Sequence, residues 1–239
     1  MGLNFGQSLF PPRGERLVNY DYFDTANGVG YEIYYGSRGT SGAYIISPSI
    51  FYSEEIKTNI NADVVLDTYG KWLDMDFDLT YNLPRNIKGD VIVNVPIGVK
   101  GTDDGDNRIT FYAKVSVIHY DGTTETVLGT GQSIPFVSET LPTPRANAFV
   151  TAVRVNIPNV THFKKGDILR FTIEGYAKST VGNPENIYFA IGHDPMNRND
   201  TLKERTSAPI KVLANYTDGT TYTHISTQMI FHVPYVLDI

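Results

Sequence analysis

The run Trp72–Tyr81, WLDMDFDLTY, constrains the fold more than any other stretch of this chain. Leu73, Met75, Phe77, Leu79 and Tyr81 alternate there with Asp74, Asp76, Asp78 and Thr80. Successive strand side chains point to opposite faces, so a period of two puts the apolar set in a core and the aspartates in water. A helix cannot use this pattern, because its apolar stripe needs spacings of three and four. Ile109–His119 repeats the signature with Phe111, Ala113, Val115 and Val117, and Val150–Ile157, Ile168–Tyr176 and Ile187–Ile191 follow it. His224–Val236 reads as one long final strand. Val91–Val95 is a nearly continuous apolar run stopping at Pro96, which predicts a strand end or sheet edge, since proline has no N–H for a ladder.

Turn chemistry separates these runs. Asp121-Gly122 and Asp218-Gly219 are pairs that two-residue hairpins favour, because glycine accepts the positive φ such turns demand. No apolar helical period persists for three turns. The expectation is ten or eleven short strands and almost no helix: an all-β, antiparallel two-sheet sandwich of jelly-roll-like form. Residues 1–30 have neither period and mix Leu3, Phe5, Leu9 and Phe10 with Pro11-Pro12, which reads as an extended N-terminal arm ahead of a single β-sandwich domain, residues 31–239. Its aromatic and aliphatic content favours an arm laid along another surface over a loose tail. The segment SETLPTPR, Ser138–Arg145, is read as a long connection between sheets.

Composition narrows the function. With 41% hydrophobic and 19% charged residues the chain of 239 can bury a core. Its net charge of −6, with 20 basic residues scattered along it, argues against nucleic acid as a partner, which needs clustered Lys and Arg. The absence of cysteine removes disulfides, thiolate metal ligands and thiol nucleophiles. No apolar run approaches the ~18 residues of a membrane span, and the first residues lack a signal-peptide pattern, so synthesis in the cytoplasm with no membrane partner is expected. The 16 Tyr and 12 Phe suit half-buried sheet faces and contact surfaces.

Few residues are arranged for chemistry. Asp74, Asp76 and Asp78 share a face, but alternate strand residues are about 6.8 Å apart along the axis, too far for one cation to collect all three. A solvated or ion-paired face is the simpler reading. In Thr102–Asn107, TDDGDN, a loop lets Asp103, Asp104 and Asp106 converge around Gly105, making them the calcium candidates, although the EF-hand continuation is missing. His119, His162, His193, His224 and His232 have no zinc-ligand spacing. Gly39-Thr40-Ser41-Gly42-Ala43 misses the last glycine of a nucleophile elbow, and Gly129-Thr130-Gly131 lacks the strand-to-helix context of a phosphate loop. No catalytic residue or cofactor follows from the sequence, and the chain is expected not to be an enzyme.

One stretch carries a resemblance. Thr161–Arg198, THFKKGDILRFTIEGYAKSTVGNPENIYFAIGHDPMNR, combines a Lys164-Lys165-Gly166-Asp167 turn, two strands read as a pair, and a loop opening His193-Asp194-Pro195. It resembles strand pairs in β-sandwich virion structural proteins of tailed bacteriophages, of the head decoration or cement type. The turn is ordinary sandwich chemistry, whereas the HDPMNR loop has no structural necessity visible in the sequence, and the resemblance rests on it. It implies a capsid decoration or capsid-associated protein located in the virion, forming a homo-oligomer such as a trimer and contacting the major capsid protein. A carbohydrate-binding β-sandwich, receptor-binding or lectin-like, is the alternative that the tyrosines and the Asp103–Asp106 loop leave open.

Overall fold

In the computed structural model the alternating run lies in strand β4 (Gly70–Thr80), and Leu73, Met75, Phe77, Leu79 and Tyr81 are all buried. The structure describes residues 29–63, 67–101, 108–137, 146–181, 186–198, 214–216, 222–224 and 226–236. Among these the chain is all-β. The remaining strands are β1 (Val29–Arg38), β2 (Tyr44–Ser47), β3 (Lys57–Asp63), β5 (Arg85–Gly101), β6 (Arg108–Tyr120), β7 (Glu125–Gln132), β8 (Phe136–Val137), β9 (Ala146–Phe163), β10 (Ile168–Val181), β11 (Asn186–Gly192), β12 (Ala214–Tyr216), β13 (Tyr222–His224) and β14 (Ile230–Val236). The expected N-terminal arm lies outside the described residues except for Val29 and Gly30, which already belong to β1.

Twelve strands form one hydrogen-bonded network in the order β3-β11-β5-β14-β1-β2-β4-β10-β6-β7, with β9 on β5 and β8 on β6, while β12 and β13 pair separately. Two separate sheets were expected; instead β1 hands the chain to β2 within one continuous ladder. Its two halves nevertheless face one another. Phe231 of β14 meets Phe77 of β4 at 5.7 Å and Phe171 of β10 at 4.8 Å, and Phe111 of β6 meets Phe149 of β9 at 5.3 Å and Phe189 of β11 at 6.0 Å. The core is this aromatic and valine-rich layer between the halves. All ladders are antiparallel save a short parallel contact of β2 with β4.

Several sequence expectations change. Pro96 ends no strand: β5 runs through it to Gly101. Pairing of β5 with β14 stops at Asn94 and pairing with β11 begins at Ile97, so the missing N–H coincides with a change of partner. The long final strand is broken, because residues 226–229 separate β13 from β14 and are used to hold a loop. The strands flanking the resemblance are not a pair. β10 lies between β4 and β6, whereas β11 lies between β3 and β5 in the opposite half.

Glycines explain the closing seam. Gly129 and Gly131 sit inside β7, where a Cβ at Gly129 would come within 2.6 Å of the Asn156 carbonyl oxygen, and one at Gly131 would collide with that of Arg154. Their missing side chains let β7 of one half lie directly against β9 of the other, which is why that motif belongs to packing rather than phosphate binding. At the β4–β10 ladder the register slips between Gly175 and Tyr176, leaving Trp72 to fold over Gly70 and donate its indole N–H to the Ala177 carbonyl at 3.3 Å. The Asp121-Gly122 hairpin joins β6 to β7 with Gly122 at φ 92°, as its sequence predicts, while Asp218-Gly219 and Ser138–Arg145 lie outside the described residues.

Candidate functional site

The aspartate stripe is paired, residue by residue, with β10. The register sets Asp78 opposite Arg170, Asp76 opposite Thr172 and Asp74 opposite Glu174. Arg170 grips Asp78 with Nε at 2.7 Å and Nη2 at 2.8 Å, reaches Glu125 with Nη1, and lies over the Tyr120 ring. Thr172 donates to Asp76 at 2.6 Å. The like charges Asp74 and Glu174 would repel, and Lys71 lies between them with Nζ at 2.6 Å and 3.1 Å. Burial opposes ionisation of Glu174, yet the bonds from Lys114 and Lys71 prevail and hold its carboxyl below the usual range. Asp103, Asp104 and Asp106, the calcium candidates, lie outside the described residues, and no other group of three potential metal ligands occurs among the described ones.

The HDPMNR loop does have a structural reason, which its sequence hides. Asp194 is fully buried, and its carboxylate accepts the Met196 N–H at 3.3 Å, the Arg198 N–H at 2.6 Å, and Arg198 Nε at 3.0 Å and Nη2 at 3.1 Å. Arg198 also donates to the Ser53 carbonyl and stacks 4.2 Å above the Tyr52 ring centroid. Asn197 adopts φ 50° and turns its side-chain oxygen to the Thr227 N–H at 2.8 Å, while Gln228 donates to the Pro195 carbonyl at 2.6 Å. Backbone bonds from His193 to Ile56 and from Asp194 to Thr227 complete a clasp where β11 ends beside β3 and β14. The loop is therefore a fastener between chain segments far apart in sequence.

Beneath it lies His193, fully buried, with Nε2 at 2.9 Å from Thr58 Oγ1, which in turn meets the Tyr44 hydroxyl at 2.7 Å. The rings of Tyr44 and Phe77 pack on the imidazole, and Nδ1 has no partner. Burial pushes the His193 pKa down to about 4, with nearby Arg38 adding to the effect and Asp194 opposing it. Thr58 and His193 form a hydroxyl–imidazole pair, but no carboxylate meets Nδ1, so the third member of a nucleophilic triad is missing. Above Tyr44, Arg38 stacks at 5.3 Å, donates to the Gly42 carbonyl and pairs with Glu55. It borders a polar cavity of about 340 Å³ lined also by Gly39, Thr40, Gly42, Glu54 and Glu55. The Gly39–Ala43 motif is the tight turn between β1 and β2, closed by the Gly39 N–H on the Ala43 carbonyl. A second histidine, His119, meets Asp167 at 2.6 Å, and Asp167 caps the Lys164 N–H of the KKGD turn at 2.9 Å.

No protein-family model and no curated protein matches the chain. Solved structures with a similar course include a CocE/NonD family hydrolase from Staphylococcus aureus, at 12% identity over 87% of this chain and 37% of that one, TM-score 0.40. An aminopeptidase from a marine-sediment Thaumarchaeota archaeon matches at 7% identity over 88% and 37%, TM-score 0.47. The VP2 subviral particle of infectious bursal disease virus matches at 10% identity over 80% and 44%, TM-score 0.29. This chain spans well under half the length of each of them. The expectation that the chain is not an enzyme is corrected here, because strand arrangements of this kind occur within hydrolases and an aminopeptidase. None of the three assigns an activity or a role to this chain.

Proposed function

We propose that this chain is a structural component of a virus particle, a capsid decoration or capsid-associated protein that works through contacts with copies of itself and with the shell protein. The observation that carries the reading is where aliphatic side chains meet water. Along the β7–β8 margin Val127 is 60% exposed, Ile134 87% and Val137 55%. Exposed aliphatics repeated along one margin suit burial against a neighbouring subunit. The outer face of β4, β10 and β6, by contrast, is laced with ion pairs, and the loop that carries the phage resemblance is a stabilising clasp. An aromatic N-terminal arm reaching a neighbour would extend the same contact.

The test is the mass of the purified chain by light scattering, with co-sedimentation on assembled particles. A symmetric oligomer that joins particles is expected, and Ile134→Asp with Val137→Asp should reduce it to monomers that stay folded. A monomeric wild-type chain that stays in the supernatant would overturn the reading. Removing residues 1–28 should leave a folded body and weaken attachment.

A further inference from the structure

The outer face of β4, β10 and β6 carries a second kind of surface. Tyr112 and Tyr176 are direct cross-strand partners and stack with centroids 4.9 Å apart and planes 6° apart. Tyr69, in the approach to β4, meets Tyr112 edge-on at 5.0 Å, and Lys178 Nζ lies 4.9 Å over the Tyr69 ring. The Tyr176 hydroxyl donates to Glu174 at 3.3 Å, and Glu174 is held by Lys114 and Lys71. Burial raises the Tyr112 phenol above its ordinary range, so it remains a neutral hydroxyl in physiological conditions.

What is missing from this face decides its partner. The exposed large hydrophobic residues of the described chain include Val127, Ile134 and Val137 on the β7–β8 margin, but none on the outward positions of β4, β10 or β6 beside these tyrosines. A protein interface core is apolar and depleted of charge, which this cluster is not. Aromatic rings set among carboxylates, ammoniums and phenols match a saccharide instead: a ring packs on the apolar C–H face of a pyranose while the surrounding groups bond its hydroxyls. The charge narrows the class. Lys71 and Lys114 are taken up by Asp74 and Glu174, whereas the Lys178 ammonium meets a ring rather than a carboxylate.

We propose that the Tyr69–Tyr112–Tyr176 cluster with Lys178 binds a carboxylate-bearing saccharide on the outer face of β4, β10 and β6. The tyrosines give the sugar an apolar wall, their phenols bond its hydroxyls, Glu174 holds Tyr176, Lys71 and Lys114 in place, and Lys178 pairs with the sugar's carboxylate. This binding does not depend on assembly into a particle.

The experiment is calorimetric titration of the full chain with trigalacturonic acid and with 3′-sialyllactose, using lactose as the neutral control. At least one acidic probe should bind about tenfold tighter than lactose, and raised salt should narrow the gap. Lys178→Gln should cost the acidic probe about tenfold and leave lactose unchanged, while Tyr112→Ala should weaken both. Should Tyr112→Ala unfold, Tyr69→Ala on the edge of the cluster serves in its place. Absence of heat with either acidic probe at millimolar concentration would overturn the assignment. So would binding that Lys178→Gln and a folded tyrosine variant leave intact, or a face that captures a second copy of the chain instead of a saccharide.

Discussion

Asp194 with Arg198 and Asp78 with Arg170 are the same pair of residue types in two settings, and the setting decides what each contributes. Asp194 is fully buried and is bonded through two backbone N–H groups as well as the guanidinium. Asp78 sits on an open sheet face, where its bidentate partner shares itself with Glu125 and Asp76. In water an ion pair gains little, because solvent and salt screen it and two long side chains must be held still. In the clasp, the aspartate is the acceptor that keeps buried donors from being stranded, so removing it costs much more than the pair itself provides.

The sharpest way to break this comparison is Asp194→Ala, expected to lower stability by about 3–5 kcal/mol in urea unfolding, since it strands the Arg198 charge and two N–H groups. A loss below about 1 kcal/mol would mean that the clasp does not hold β11 to β14. The next effect is acid sensitivity at His193. Its folded pKa of about 4 lies below the unfolded value of 6.5, so its contribution is complete above pH 6.5 and is lost as pH falls toward 4. At the low end the loss amounts to roughly 3 kcal/mol. His232, also shifted down by burial, acts in the same sense, whereas the carboxylates begin to act near their own lower ordinary values. Urea midpoints compared at pH 7.5 and pH 5 should therefore fall in the wild type and fall distinctly less in His193→Gln; an equal fall in both would assign the sensitivity elsewhere. The smallest effect is expected for Asp76→Ala, whose partner Thr172 is solvent-facing, with a change within about 0.5 kcal/mol by the same unfolding measurement.

Strands with a strict period were open to sequence reading, because burial on one face is written into neighbouring residues. Every apolar position named in β4, and Phe111, Ala113, Val115 and Val117 of β6, is buried. What the sequence concealed depends on residues distant along the chain. Gly129 and Gly131 look like a loop motif until β9 is laid against them. The clasp looked dispensable because its partners, Ser53, Ile56 and Thr227, come from other segments. Tyr112 and Tyr176 become neighbours only through the register of β6 with β10. The same lack of long-range information made β10 and β11 look like a hairpin when they belong to opposite halves.

The bulge at Trp72 has a practical consequence. It is the sole tryptophan in the chain, and its indole is tied to Ala177, the residue directly after Tyr176. Being the one indole of the sequence, it alone emits at long wavelength, so that emission reports on a single known spot of the sheet. Any event that loosens the β4–β10 slip, or places a molecule beside the stacked phenols, changes the colour of the protein's own light without a label.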